Sequence, residues 1–207
     1  MNEILLIGGG GHCKAVIDVL EATSAWRIAG IVERRDTHID EVMGYEVVGF
    51  DEDLPALRER CPFALVACGQ IHSPQTRMRL FHALQAAGFA LPAIVSPSAH
   101  VARSATIGEG TIVMHAACVG PSARVGANTI VNTRALIEHD AEIGSHAHVA
   151  TAAVINGGTK VGDRTLIGSG ALCREGLTIG ADCLVAMGER VFKPLPDGTR
   201  LIGGQAR

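Results

Sequence analysis

A histidine set between two carboxylates is the sharpest chemical feature of this sequence, Glu138-His139-Asp140. A carboxylate that accepts a hydrogen bond from one ring nitrogen fixes the imidazole tautomer. The other nitrogen is then free to take a proton, which suits general-base chemistry. An outward histidine is also an ordinary surface residue, and five of the nine histidines (His100, His115, His139, His146 and His148) fall in or beside one repetitive stretch. A second feature is the run Gly8-Gly9-Gly10-Gly11, followed by His12 and Lys14. Glycines let a backbone approach a phosphate closely, and a helix start supplies N–H groups and partial positive charge. Cys13 stands where a dinucleotide fingerprint has its third glycine, so a tight strand-to-helix turn without a ligand also fits. Glu33 lies about 20 residues beyond the loop, where a ribose-binding acid falls; a solvated strand end reads from the same position. None of the six cysteines pairs as CxxC or has an evident base, and Cys173 and Cys183 sit on apolar repeat positions.

The elements that must hold these residues are legible as periods. Stepping by six from Val95 to Val191 meets 17 positions, 16 of them Val or Ile; the exception is Cys173. Four places after each lies a second set, mostly small, as at Ala117, Ala123, Thr129, Ala135 and Ala141. Glycine often follows the aliphatic position (Gly108, Gly120, Gly126, Gly144), where a tight bend is expected. A period of six held over this length belongs to a parallel β-helix, in which each coil buries its aliphatic row on the next. The expected boundaries are 94–195 for the β-helix and 196–207 for a C-terminal tail.

Residues 1–93 read as an α/β nucleotide-binding domain of Rossmann-like type. Ile4–Ile7 is a buried strand, the glycines its loop, His12–Glu21 a helix, and Arg27–Val32 a second strand ending at Glu33. Phe63–Cys68 is a further strand, Pro74–Ala87 a helix and Ala90–Val95 a last strand. About 90 residues is short for a complete dinucleotide fold, so a mononucleotide or nucleotide sugar fits better than NAD.

Composition narrows the class. A net charge of −3 with no basic run argues against nucleic acid and anionic membrane surfaces. No apolar stretch reaches a membrane span, and Met1-Asn2-Glu3 lacks the start of a secretory signal, so reduced thiols and a cytoplasmic location are expected. With 47% hydrophobic and 3% aromatic residues, the core must be built from small and branched aliphatics.

The whole chain resembles the bacterial nucleotide-sugar N-acetyltransferases that act on 4-amino-4,6-dideoxy sugars, the bacillosamine and perosamine enzymes of the sialic-acid O-acetyltransferase-like family. Gly9-Gly10-Gly11-His12 carries the match in the first half. In the second half it is carried by Asn132, Ile137-Glu138-His139-Asp140 and Gly144-Ser145-His146-Ala147-His148. The resemblance implies a left-handed β-helix, a homotrimer with acetyl-CoA between neighbouring subunits, and no metal. It implies His139 as general base oriented by Asp140. It places the nucleotide diphosphate on the glycine loop, Gly9, Gly10 and Gly11, with His12, and Glu33 near the nucleoside. Lys14 at the helix start is placed to meet phosphate, and Arg34, Gly69 and Glu138 are further candidate substrate residues. Asn132, His148, Gly157 and Ser169 are the implied acetyl-CoA residues. The tail departs from the family, because Gly203-Gly204-Gln205-Ala206-Arg207 lacks its usual proline.

Rival readings are O-acetylation of a sialic-acid-type sugar, a γ-carbonic-anhydrase-like zinc protein and a non-catalytic sensor. The histidine spacing of the zinc enzymes is not reproduced, and a nucleotide-type domain would have no task there.

Overall fold

The computed structural model describes residues 1–71 and 73–207. They form two compact units, Met1–Pro97 and Ser98–Arg207.

The first unit is built on β1 (Asn2–Ile7), whose Ile4, Leu5, Leu6 and Ile7 are all buried, as a strand covered on both faces requires. The chain continues through α1 (Gly11–Glu21), β2 (Trp26–Glu33), β3 (Glu41–Val42), β4 (Tyr45–Phe50), α2 (Leu54–Arg60), β5 (Ala64–Val66) and α3 (Gln75–Ala86). The sheet order is β3-β4-β2-β1-β5, with β4, β2, β1 and β5 parallel and β3 antiparallel. The strand order reverses beside β1, so the glycine loop leaves the sheet where open α/β folds take their ligands.

Two expectations change here. The strand expected over Ala90–Val95 is reduced to a bridge between Phe63 and Ala90 and the pair Ile94–Val95. Pro92 lies between them and has no N–H to give to a ladder. The β3–β4 hairpin and α2 lie in a stretch from which the sequence reading drew no element; the hairpin turns at Met43 (φ 52°) and Gly44 (φ 83°).

In the second unit, two-residue strands recur every six residues and pair in parallel with the strand 18 residues later. Leu136–Ile137 lies between Cys118–Val119 and Val154–Ile155, for example. Three sheets result, and the inner row is closed to solvent: Val113, Val119, Val131, Ile137, Val149, Ile155, Ile167 and Val185 are all 0% exposed. The smaller row also points inward. Its buried threonines donate to carbonyls of the following coil, Thr111 to Gly126 at 2.7 Å and Thr165 to Gly180 at 2.7 Å, so no hydroxyl is stranded. Val95, expected as the first inward residue, is instead 36% exposed, and Val101 and Ile107 are half-buried. Arg200–Leu201, within the segment expected as a tail, pairs with Leu184–Val185 and turns back as a hairpin.

The expected reason for the repeat glycines is corrected. Gly108, Gly120, Gly126, Gly144, Gly162, Gly168 and Gly180 do not have positive φ. A Cβ on any of them would fall within 2.3–2.8 Å of atoms of the next coil, so they are required by close stacking of coils. The left-handed backbone sits elsewhere at each corner, at residues such as Asn128 (φ 51°), Arg134 (φ 60°) and Asp140 (φ 59°).

Candidate active site

His139 and Asp140 occupy one corner of the β-helix, just after Leu136–Ile137. The Nδ1 of His139 lies 2.8 Å from Oδ2 of Asp140. A carboxylate that accepts at Nδ1 selects, in the neutral ring, the tautomer with its proton there and the lone pair on Nε2. Asp140 reaches the ring because it holds the left-handed corner position, one that aspartate tolerates better than most residues. Both side chains are open to solvent, 64% and 66% exposed. They adjoin a cavity of about 630 Å³ lined by Glu138, His139, Asn156, Gly157, Glu175 and Gly176.

The residues expected to hold acetyl-CoA divide between two corners. Gly157 lies in the coil after His139 and at the same corner. Asn132 and Ser169 lie at the preceding corner, and His148 lies on the face leading into it. Nδ2 of Asn132 is 3.1 Å from Nε2 of His148, and Oδ1 of Asn132 accepts from the Thr133 amide at 2.7 Å. His148 points outward as expected and yet is only 7% exposed. Within one chain, the face carrying Leu136 and Val154 separates the two corners.

The glycine loop in the first unit resolves residue by residue. Gly8 has φ 103°, and a Cβ there would overlap the Cys68 sulfur. The Gly9 amide donates to Oε2 of Glu33, whose Oε1 accepts from the Arg34 amide at 2.8 Å. Glu33 is 9% exposed and is thereby a clamp between β2 and the loop, an interaction its distance in sequence does not reveal. Gly10 caps α1 with φ −74° and ψ −172°, and among the described residues a Cβ on Gly10 or Gly11 meets nothing within 4 Å beyond the adjoining backbone. His12 is half-buried against Gly69, whose added Cβ would lie 3.3 Å from His12 Cβ, while Lys14 is exposed. Arg34 pairs with Asp36 and lines a cavity of about 420 Å³ with Arg35, His38, Ile39 and Phe50.

Sequence reasoning missed Arg77. It is fully buried on α3, donates to the carbonyls of Val66 and Cys68 at 2.8 Å each, and thus shapes the loop facing the glycines. Burial lowers its pKa to about 10. Its signal was position: Arg77 takes the first place of the apolar stripe Leu80, Phe81, Leu84. Cys13 and Cys173 are poor nucleophiles, since burial pushes both thiols up to about 12. Among the described residues, no group of three or more His, Cys, Asp or Glu is placed to hold a metal ion. No helix among them is long and apolar enough to cross a membrane.

The chain matches known proteins in both halves. The PglD N-terminal domain family matches residues 3–84. PerB from Caulobacter crescentus, solved in complex with CoA and GDP-perosamine, is 37% identical with a TM-score of 0.91, over 100% of this chain and 97% of that one. The chain belongs to the PerB/PglB family of hexapeptide-type acetyltransferases. The acetyltransferase domain of PglB from Neisseria gonorrhoeae is 30% identical with a TM-score of 0.89, over 100% of this chain and 99% of that one. The PglB domain is also solved with acetyl coenzyme A. WeeI from Acinetobacter baumannii AYE, at 23% identity and a TM-score of 0.84, shares the fold. No curated protein matches the chain at comparable stringency. The family fold is a Rossmann-like domain followed by a left-handed parallel β-helix, as expected from the resemblance. Its members' complexes also support acetyl-CoA as the cosubstrate.

Proposed function

We propose that this acetyltransferase moves the acetyl group of acetyl-CoA to the C4 amine of a nucleotide-linked 4-amino-4,6-dideoxy sugar, as a cytoplasmic homotrimer. The observation that carries the reading is the His139–Asp140 pair at 2.8 Å beside an open groove. Nε2 of His139 takes the proton shed as the amine nitrogen bonds to the thioester carbon. The carbon–sulfur bond then breaks, and the departing thiolate takes the proton back from the imidazolium. No cysteine is needed for an acyl-enzyme, consistent with the raised thiol pKa values. PerB supports the sugar class, being a GDP-perosamine N-acetyltransferase also solved as variants with one histidine replaced by asparagine or alanine. Open space at Gly10 and Gly11 supports the glycine loop as the diphosphate site, with His12, Lys14, Arg34 and Gly69 beside it.

The trimer is supported by the split between corners. The base and the Asn132–His148 pair are a face apart in one chain, so a second copy is the way to bring such a pair to His139. The central outward residues of the intervening face, Leu136, Val154 and Leu172, are apolar between His100 at one end and Arg190 at the other, and Leu172 is 41% exposed. The matching outward row of the next face is charged: Arg124, Glu142, Lys160. Sedimentation should give the mass of three chains; one chain at high concentration would refute the shared site. The activity is tested with UDP- and GDP-linked 4-amino-6-deoxy sugars and their 4-hydroxy analogues, with acetyl-CoA and mass spectrometry. Acetylation of a 4-amino sugar is expected; coenzyme A release only with hydroxyl sugars would refute the amine.

A further inference from the structure

Gly157 has no backbone reason to be glycine. Its φ is not positive. The equivalent corner position holds Pro121, His139 and Glu175 in the neighbouring coils, as the 18-residue step requires. The turn therefore accepts side chains of any shape. The repeat glycines face the next coil, mostly its backbone, but the three atoms nearest a Cβ on Gly157 all belong to the His139 ring. They are Cε1 and Nε2 at 2.7 Å and Cδ2 at 3.3 Å. Real Cβ atoms do not come so close, so the ring would have to move.

We infer that Gly157 is a positioning residue: its bare Cα is the floor on which the Nε2 edge of His139 rests while Asp140 holds the Nδ1 edge. Two restraints on opposite sides then fix a ring that is 64% exposed and would otherwise sample several rotamers. This rests on His139 as the base. It assigns Gly157 a task separate from contact with the coenzyme A arm. A displacement of about 1 Å in a catalytic group can cost roughly 10²-fold in rate. For Gly157→Ala, where the ring can swing partly aside, kcat should fall by about 10-fold or more.

The test is a cycle of Gly157→Ala, His139→Ala and the double variant, read by kcat, melting temperature and the ¹⁵N-histidine spectrum. Gly157→Ala should lower kcat and shift the His139 ring signals. At saturating acetyl-CoA it should lower kcat no further in the His139→Ala background, since there is no ring to displace; a loss of contact with the coenzyme A arm would instead raise the Michaelis constant for acetyl-CoA in both backgrounds. If Gly157→Ala also melts early, the double variant should melt like His139→Ala; a defect surviving removal of the ring would overturn the inference. Wild-type ring signals in Gly157→Ala, or losses that multiply in the double variant, would overturn it too. Should no sugar be acetylated by the wild type, the proposed function fails, while the spectra and melting temperatures still decide the placement of the ring.

Discussion

Replacing His139 with asparagine removes the only group at its corner with a lone pair on nitrogen poised beside the groove, and keeps a side chain of similar reach. A base of this kind contributes about 10²–10⁴-fold, so kcat should fall by at least 10²-fold. Both Michaelis constants should change little, because the loss is confined to the transition state. Asp140 calls for a different magnitude. It sits at φ 59°, where alanine would add backbone strain of about 1–2 kcal/mol and asparagine adds little, so Asp140→Asn is the clean variant. The pair is 64% and 66% exposed, and solvent screening limits such a pair to about 0.5–1 kcal/mol. That energy converts to a fall of roughly two- to fivefold. Coenzyme A release, followed with a thiol-reactive chromophore across a pH series, reads both variants. Raising the pH should partly restore His139→Asn, because the amine then arrives deprotonated. A His139→Asn enzyme within a factor of about two of wild type would remove the base assignment. Equal losses in the two variants would shift the proton acceptor to the carboxylate.

Three other perturbations probe different levels. Gly10→Val should raise the Michaelis constant for the sugar nucleotide, spare that for acetyl-CoA and leave melting near wild type, since among the described residues its Cβ meets no atom within 4 Å beyond the adjoining backbone; Gly8→Ala should melt early instead, through φ 103° and the Cys68 sulfur. Val125→Asp, at a site 4% exposed in the stacked row, should cost about 3 kcal/mol or more by chemical denaturation, and an unchanged midpoint would mean that the inward row is misassigned. Cys13 and Cys173 rise from an ordinary 9.0 to about 12 in the folded chain, so the unfolded chain ionises first; their stabilisation is full below pH 9, falls as pH rises from 9 toward 12, and that slope should flatten in Cys173→Ala.

Periodicity made the β-helix readable because stacking imposes one demand on every coil. A row from Val113 to Val191 must be aliphatic, and a register error anywhere would expose it. The glycine loop and β1, α1 and β2 were readable because a buried strand, a turn and an amphipathic helix each leave a local signature. Contacts distant in sequence leave none. Nothing around Glu33 says that its carboxylate holds the amide of Gly9. Nothing around Gly157 says that an imidazole from the previous coil lies on it. Arg77 stood in an apolar stripe, but the carbonyls it serves lie on another element, so its role could not be read from its neighbours. The pairing of His139 with Asp140 was readable because the two are adjacent. Placing Asn132 and His148 a face away required the coil register.

Glycine makes the same point from one residue type, and it separates what the fold requires from what it does not. Gly8 answers to its own dihedral angle and to the Cys68 sulfur, and Gly9 to Glu33 and Val42 packed against it. Gly108, Gly120, Gly126, Gly144, Gly162, Gly168 and Gly180 answer to the coil that follows each of them, and Gly157 to a ring. Once these protein-based reasons are assigned, Gly10 and Gly11 remain, in a loop at the sheet's switch point, where a built Cβ meets no atom of the described residues within 4 Å beyond the adjoining backbone. Gly10 is an acceptable N-cap, but any of Ser, Asn or Asp would cap α1 better, and glycine loses the most entropy on folding, so two glycines in a row exceed what the helix start requires. A ligand touching the backbone, as proposed for the diphosphate of the sugar nucleotide, would supply a reason. The contrast between Gly10→Val and Gly8→Ala is therefore the direct experimental separation of a binding glycine from a folding one.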